Sequence, residues 1–219
     1  MSQPTLFEVG ETHERVLVDE GRGRVIYTPD FVDADTAAAW FEELRRDVAW
    51  RAERRMMYER EVDVPRLVAS FRLDSADDRE PEPEHRARAI PRSIVEASRR
   101  VGNHLAIPFN SAGLNFYRDG RDSVAPHNDH LNELQKGFPI ALLSLGSTRR
   151  MTIRAKEPPR RAVHVDLDPG SLLVMEYATQ LHYTHGVPKT NDRVGERISV
   201  AFRVKRPPRA DSRGSFYDK

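Results

Sequence analysis

The chain has 219 residues, 38% of them hydrophobic, and its 35 Lys and Arg residues nearly balance 34 Asp and Glu residues, leaving a net charge of +1. This length fits one domain, and the apolar content can form a core, which excludes a wholly disordered chain. The absence of cysteine excludes disulfide scaffolds, thiolate zinc sites and cysteine nucleophiles, and it fits a reducing compartment. We see no signal peptide and no apolar run of membrane-spanning length. We therefore expect a cytoplasmic protein without a membrane span, and we expect it to be a monomer.

Two helices are predicted in the first half of the chain. Residues 1–22 are polar and weakly patterned, which indicates an N-terminal extension, and residues 23–28 have the pattern of a short strand. Asp33 is a typical N-cap residue, and apolar residues recur after it at helical spacing. A second amphipathic helix is predicted over residues 92–105. The acidic segment 73–86 between the two helices has no period and predicts a mobile loop.

From residue 113 onward the pattern changes to short strands separated by turn signals. The predicted strands cover residues 113–117, 140–146, 150–154, 162–167, 171–175 and 196–205. Because helices come first and strands follow, the order favours a barrel or sandwich over a parallel sheet with crossover helices. We predict an α+β, mainly β fold with a single domain over residues 23–204. A Pro- and Arg-rich tail over residues 205–219 is expected to be flexible.

Three residues form a candidate metal site. His127 precedes Asp129 by two positions, so in a strand the imidazole and the carboxylate could converge on one ion. Such a pair alone occurs often by chance. A further histidine, His185, follows a predicted strand in a Gly-containing segment that we interpret as a loop. Two histidines and one aspartate make the facial triad of non-haem Fe(II) oxygenases, so we predict that these three residues bind the metal and are catalytic.

Polar residues on two predicted strands form a candidate anion site. Strand alternation places Arg197, Ser199 and Arg203 on one face of an otherwise apolar strand. This pattern indicates a buried dicarboxylate, because guanidinium groups bind carboxylates in bidentate fashion. The alternative is a structural pair between arginine and an acidic residue. Asn115 and Tyr117 also share a face and either bind the same ligand or simply pack.

Together these motifs resemble the AlkB family of Fe(II)/2-oxoglutarate dioxygenases, which demethylate alkylated nucleic acids. The matching segments are Asn115-x-Tyr117-x-Asp119-Gly120, His127-x-Asp129, His185, Arg197-x-Ser199-x-Ala201-Phe202-Arg203 and Val64-Pro65-Arg66. The resemblance covers residues 23–204 and is closest to the human DNA-repair AlkB homologues and their bacterial counterparts.

The resemblance implies a double-stranded β-helix, or jelly-roll, with the N-terminal helices packed on one side. It implies Fe(II), 2-oxoglutarate and O₂ as cofactor and cosubstrates. Arg203 would hold the distal carboxylate of 2-oxoglutarate with help from Tyr117 and Asn115, while Arg197 and Ser199 would lie near its chelating end. The implied reaction converts 2-oxoglutarate to succinate and CO₂ while an N-methyl group of the 1-methyladenine or 3-methylcytosine type leaves as formaldehyde.

The sequence departs from the family pattern on the substrate side. The repair enzymes carry another acid shortly after the metal aspartate, where this chain has Leu131. They follow Val-Pro-Arg with an aromatic hairpin, where this chain has Phe71 and then the acidic segment. We predict that Arg66, Phe71 and Tyr58 contact the substrate, with Phe71 stacking on a flipped base opposite His127.

Two other functions stay open at this point. The altered substrate side also fits the same oxygenase chemistry on a protein or a small molecule. A non-catalytic jelly-roll that binds nucleic acid or a partner through its Arg clusters is the third possibility. The balanced net charge does not exclude nucleic acid, because acidic residues concentrate in the 73–86 segment while Arg is spread over helices and strands.

Overall fold

The computed structural model describes residues 14–57, 60–73 and 89–206, with residues 55–57 and 60–63 described by their backbone alone. Most of the acidic segment 73–86, most of the tail, the first thirteen residues and Tyr58 therefore lie outside the described residues. Among the helices that are described, none combines the length and the apolar character needed to cross a bilayer.

Two antiparallel sheets make up the body of the fold. The strands of the larger sheet, in spatial order, are β1 (Arg15–Asp19), β2 (Arg24–Thr28), β10 (Leu172–Met175), β7 (Ile140–Gly146), β12 (Arg197–Arg203), β5 (Ser111–Tyr117), β4 (Arg60–Arg72) and β3 (Arg51–Met57). Those of the smaller sheet are β6 (Val124–His127), β11 (Tyr183–Val187), β8 (Arg149–Ala155) and β9 (Ala162–Leu167). This arrangement confirms the predicted jelly-roll class.

The helices α1 (Ala34–Asp47) and α2 (Arg92–Leu105) pack on the outer face of the larger sheet. Asp33 caps α1 by accepting a hydrogen bond from the Thr36 backbone N–H at 2.9 Å, as its residue type predicts. A third, short helix, α3 (Thr179–His182), connects β10 to β11. Both predicted helices and their packing on one side are thus confirmed.

Strand β12 separates two hydrophobic cores. Ile198, Val200 and Phe202 point toward the helices and belong to the core that α1 and α2 cover. The alternate residues Arg197, Ser199 and Arg203 point between the two sheets, where they line a pocket. The core between the sheets closes around this pocket with apolar side chains from β7, β8 and β10. Strand alternation therefore aims the polar residues of β12 at the inner face, as predicted.

The sequence pattern does not predict β1, β3, β4, β6 or β11. Strands β3 and β4 form a hairpin at the sheet edge that is rich in charged residues, a composition typical of edges that avoid pairing with other chains. Pro65 lies inside β4 where the β3–β4 register shifts, and such a bulge tolerates a residue without a backbone N–H. The chain before residue 23 also differs from a plain extension, because β1 pairs with β2.

Candidate active site

His127, Asp129 and His185 converge at one end of the pocket. Their candidate ligand atoms all lie within 4.8 Å of one another. The cause is strand register, because His185 on β11 pairs directly with His127 at the end of β6, and the two ring centroids are 4.5 Å apart. Asp129 follows two residues later, beyond the end of β6, so His127 and Asp129 do not share the strand that their spacing predicted. His185 therefore lies within a strand, which corrects the loop expected from Gly186.

Close packing of β6 against β11, rather than a turn, requires a glycine at position 186. A Cβ atom at this position would stand 2.8 Å from the carbonyl oxygen of Val124 and 3.0 Å from the backbone nitrogen of Pro126. Glycine thus lets β6 approach β11 closely enough to bring the two histidines together. This close approach explains why a residue typical of loops occurs beside a metal-site histidine.

The electrostatics of these three residues suit a divalent cation. Burial, together with the neighbouring His127, lowers the pKa of His185 to about 4, so the imidazole is neutral and its lone pair is available. Nδ1 of His127 lies 2.9 Å from the carbonyl oxygen of Ala125, and donation from Nδ1 leaves Nε2 to bind a metal. Burial alone would raise the pKa of Asp129, but the Arg203 guanidinium, together with His185 and His127, lowers this pKa below its usual value.

Arg203 lies at the metal end of the pocket. Its Nε donates to Oδ2 of Asp129 at 2.6 Å, and its Nη1 donates to the carbonyl oxygen of Ala201 at 3.2 Å. Gly113 on β5 makes room for the guanidinium, because a Cβ atom there would approach Nη1 to 2.9 Å. Two of the three nitrogens of Arg203 are therefore already bound within the protein.

Arg197 lies deeper and has free donors. Its side chain is fully buried, and only Nη2 is bound, donating to Oγ of Ser144 at 3.1 Å. Its Nε and Nη1, and Oγ of the neighbouring Ser199, are buried without a hydrogen-bond partner among the described residues. Burial lowers the pKa of Arg197. A buried guanidinium with unpaired N–H groups fits an incoming carboxylate, because such groups are costly when left unsatisfied.

Register also places the other two predicted cosubstrate residues. Tyr117 pairs with Arg197 across β5 and β12, and Asn115 pairs with Ser199. The Arg197 guanidinium lies 5.1 Å from the centroid of the Tyr117 ring. All five predicted residues line the pocket, so the structure brings the set together.

The geometry corrects the expected order of the two arginines. The resemblance implied Arg203 at the distal carboxylate and Arg197 near the chelating end. The structure places Arg203 against the metal-site Asp129, with two of its nitrogens occupied, and Arg197 at the buried end with free donors. The two positions are therefore exchanged relative to the expectation.

A further buried arginine, which the sequence pattern does not single out, supports Tyr117 from outside. Arg149 is 3% exposed and lies 5.6 Å from the Tyr117 ring centroid. Its Nη1 donates to the carbonyl oxygen of Asp119 at 2.9 Å. Its Nη2 donates to those of Asp122 at 2.9 Å and Pro188 at 2.7 Å. The guanidinium thus links the turn after β5 to the segment after β11.

Comparison with known proteins agrees with this geometry. Residues 24–203 match the family model of the 2OG-Fe(II) oxygenase superfamily. Two relatives named alpha-ketoglutarate-dependent dioxygenase alkB homolog 3 are each 32% identical. The bovine protein aligns with 98% of this chain and 77% of its own length, and the human protein with 97% and 76%. The human DNA oxidative demethylase ALKBH2 is 32% identical over 52% of this chain and 48% of its own length.

The chain belongs to the AlkB-like family of 2-oxoglutarate–Fe(II) oxygenases. The solved structure of OsALKBH1 shares the fold, with a TM-score of 0.51 over 82% of this chain and 97% of the other, at 15% identity. As an AlkB-like protein the chain is a 2-oxoglutarate-dependent dioxygenase, and Fe(II), 2-oxoglutarate and O₂ are the cofactor and cosubstrates of the family. These family and cofactor predictions are confirmed.

The pocket residues fit the groups that this AlkB-like family uses. A His-Asp-His set is a known Fe(II) ligand set, and it leaves positions open for a cosubstrate. The unpaired N–H groups of Arg197 and the Ser199 hydroxyl supply donors for a carboxylate. The donor and acceptor chemistry of these side chains therefore suits both Fe(II) and 2-oxoglutarate.

A second, larger cavity opens from the AlkB-like pocket to solvent. This groove has a volume of about 800 Å³ and runs between β4 on one side and β8 with the end of β11 on the other. Arg66 lines both cavities, and its Nε donates to Oδ1 of Asn115 at 2.6 Å. The rim includes His130, Arg154 and Lys189, none of which the sequence pattern singles out as a substrate residue.

The predicted substrate residues do not all meet at this groove. Arg66 lies there, but Phe71 packs against the core beneath the helices and does not line the groove, which corrects the expected stacking role. Leu131 packs against the core between the sheets. Glu133 pairs with Lys205 at 3.0 Å and is likewise not a lining residue. The acid that the repair enzymes carry shortly after the metal aspartate therefore has no counterpart in Leu131 or Glu133 at this groove.

Proposed function

We propose that the chain is an oxidative demethylase of N-alkylated bases in DNA or RNA, of the 1-methyladenine and 3-methylcytosine type. A methylated base, O₂ and 2-oxoglutarate would yield the restored base, formaldehyde, succinate and CO₂. The observation that carries the proposal is the His127, Asp129 and His185 group at the meeting point of a buried anion pocket and a wide groove. The human relative named DNA oxidative demethylase supports this reaction class.

In this proposal His127, Asp129 and His185 hold Fe(II), which supplies the oxidising chemistry once 2-oxoglutarate and O₂ are bound. Arg203 keeps Asp129 ionised and fixes the direction of its carboxylate. The hydrogen bond from Nδ1 of His127 to Ala125 fixes the ring orientation. The protein thus presents one anionic and two neutral ligands in a fixed arrangement.

The deep end of the pocket would bind the distal carboxylate of 2-oxoglutarate. Arg197 offers Nε and Nη1, and Ser199 offers its hydroxyl, to a group that arrives without its water. Apolar side chains of Ile140, Leu142 and Met175 form the remaining wall and exclude solvent. Charged hydrogen bonds are stronger in such a dry environment than at a surface, so the site favours a dicarboxylate over a neutral ligand.

The groove rim supports a nucleic-acid substrate. Arg154 and Lys189 are exposed on one wall, and neither forms a salt bridge with a described acidic residue. Other exposed arginines are neutralised locally, as in the pairs Arg150–Asp166 and Arg121–Asp119. Unpaired cations beside a catalytic centre suit a phosphodiester backbone, since phosphate contacts contribute much of nucleic-acid affinity.

Substrate-dependent turnover tests this proposal. Purified protein with Fe(II) and 2-oxoglutarate should release formaldehyde and restore the base on an oligonucleotide carrying 1-methyladenine or 3-methylcytosine. Single-stranded DNA, duplex DNA and RNA should each be tried against a His127→Ala control. Equal product from the variant and the native chain on all three would overturn the demethylase proposal.

The same oxygenase chemistry on a protein or small molecule is the second candidate. It is favoured by the positions of Phe71 and Glu133, which lie away from the groove and supply neither a stacking ring nor a base-reading acid. Succinate release that depends on a peptide or metabolite, in the absence of activity on oligonucleotides, would select this candidate.

A further inference from the structure

The short helix α3 lies directly against the segment that carries the metal-site aspartate. Gln180 in this helix is 1% exposed, and its Oε1 accepts a hydrogen bond from the backbone N–H of Asp129 at 3.0 Å. Its Nε2 donates to Oγ1 of Thr179 at 3.2 Å. Both ends of the amide therefore form hydrogen bonds. In the opposite orientation the Gln180 NH₂ group would face the backbone N–H of Asp129, and two donors would meet.

Further hydrogen bonds attach the same helix to its surroundings. The side-chain amide of Asn128 donates to the backbone carbonyl oxygen of Gln180. Nζ of Lys156 donates to that oxygen and to the carbonyl oxygen of Leu181, both at 2.9 Å. Oγ1 of Thr179 donates to the carbonyl oxygen of Glu176 at 2.6 Å. The helix therefore has a fixed position although it has only four residues.

Asp129 needs such a support because no strand holds it. Strand β6 ends at His127, and the next residues belong to no ladder within the described part of the chain. The side chain of Asp129 is held by Arg203, but its backbone depends on the contact with Gln180. A ligand on an irregular segment is mobile unless its backbone groups are bound.

The position of α3 in the chain adds a second effect. The helix ends at His182, and β11 with His185 follows at once. Gln180 thus joins Asp129 by a hydrogen bond to the segment that carries His185 covalently. This arrangement sets the spacing between two of the three ligands.

We propose that Gln180 is a positioning residue that holds Asp129 at the distance from His185 required for metal binding. The inference rests on the proposed metal role of these residues. Groups that orient a ligand from behind typically change metal affinity by about 10- to 100-fold when they are removed. Replacing the amide should therefore weaken metal binding without unfolding the protein.

The test measures Mn(II) affinity by calorimetry on the full chain, without oligonucleotide. Gln180→Met keeps the length of the side chain but removes the strong acceptor, and we expect it to weaken Mn(II) binding by roughly 10- to 100-fold. Gln180→Glu keeps an acceptor oxygen for the Asp129 N–H and should retain most of the affinity. Leu181→Ala, on the exposed side of the same helix, is the matched control and should bind Mn(II) like the native chain.

Hydrogen exchange of the Asp129 amide supplies a second measurement. The amide should be protected in the native chain and in Gln180→Glu, and it should exchange faster in Gln180→Met. Unchanged Mn(II) affinity in folded Gln180→Met, or equal weakening in the Met and Glu variants, would overturn the positioning role. Absence of Mn(II) binding by the native chain would instead overturn the proposed metal site itself.

Discussion

The buried pocket, where we propose that 2-oxoglutarate binds, and the wide groove, where we propose that the substrate binds, share residues but are built in different ways. The pocket is lined by side chains from paired strands, with Arg197 and Ser199 on β12 facing their partners on β5. The groove is lined by strand residues, many of them on β4, together with connecting segments such as the residues after His127 and after Val187. Register therefore fixes the pocket, while part of the groove depends on segments that can change with little effect on the sheets.

This contrast indicates where this AlkB-like chain can vary. Every pocket residue that the motif implies lines the pocket, although the two arginines have exchanged positions, whereas Phe71 lies away from the groove and neither Leu131 nor Glu133 supplies an acid there. In the proposed function, chemistry and substrate choice are thus assigned to different parts of the same cavity system. Substitutions in the two regions should affect different measured quantities.

The largest effect is expected from a metal-site residue, where the two regions meet. His185→Ala removes a buried ligand, so we expect loss of Mn(II) binding and of detectable 2-oxoglutarate turnover. The matched control is His182→Ala, three residues earlier and outside the metal group. Calorimetry and succinate release report the outcome, and a fully active His185→Ala variant would contradict the assigned ligand set.

A change at the deep end of the pocket should separate binding from stability. Arg197→Met removes charged hydrogen bonds to the distal carboxylate, and we expect the KM for 2-oxoglutarate to rise by about 10- to 100-fold. Removing a buried, unpaired charge should at the same time raise the unfolding temperature without cosubstrate. Steady-state kinetics and thermal unfolding measure the two effects, and an unchanged KM would place the distal carboxylate elsewhere.

A change at the groove rim should leave the pocket intact. The double variant Arg154→Ala and Lys189→Ala removes two proposed phosphate contacts. We expect weaker binding of single-stranded oligonucleotide, with the log–log salt slope reduced by about 1.4, or about 0.7 for each contact. The KM for 2-oxoglutarate should not change. An unaltered salt slope in fluorescence-anisotropy titrations would remove these two residues from the substrate surface.

The smallest effect is expected from an arginine that is neutralised locally. Arg150 pairs with Asp166 at 2.9 Å on the exposed face of β8. We expect Arg150→Ala to leave oligonucleotide affinity and unfolding temperature within experimental error, because exposed pairs contribute little. A loss of affinity equal to that of the rim variant would mean that nucleic-acid binding is spread over the surface.

Much of the fold and the chemical end of the site could be predicted from the sequence. The apolar spacing after Asp33 and over 92–105 repeats with the helical period, so both helices were predictable. The His127, Asp129 and His185 set was found through its residue types. Strand alternation predicts that Arg197 and Arg203 share one face of β12, but it does not predict which of the two lies nearer to the metal-site residues. The two residues are about 20 Å apart along the strand, at about 3.3 Å per residue, and only the position of β6 shows which lies near the metal.

The strands that the sequence pattern does not predict have physical reasons for being hard to detect. Strands β3 and β4 carry charged residues at an exposed edge, where alternation is not needed, and Pro65 obscures the pattern at the bulge. Gly186 resembles a loop residue because close packing and turns both favour glycine. The role that we propose for Gln180 depends on a contact between residues 51 positions apart, so no local sequence pattern predicts it.

We expect the hydrogen bonds of Arg149 to influence how a substrate enters the groove. Its guanidinium binds carbonyl oxygens of Asp119 and Asp122 on one side and of Pro188 on the other. The guanidinium therefore joins the turn after β5 to the segment after β11, and we expect these two segments to open together. Hydrogen exchange across both segments should therefore follow a single opening free energy. We expect any change in groove width that admits a bulky substrate to come from the opposite wall, formed by β4.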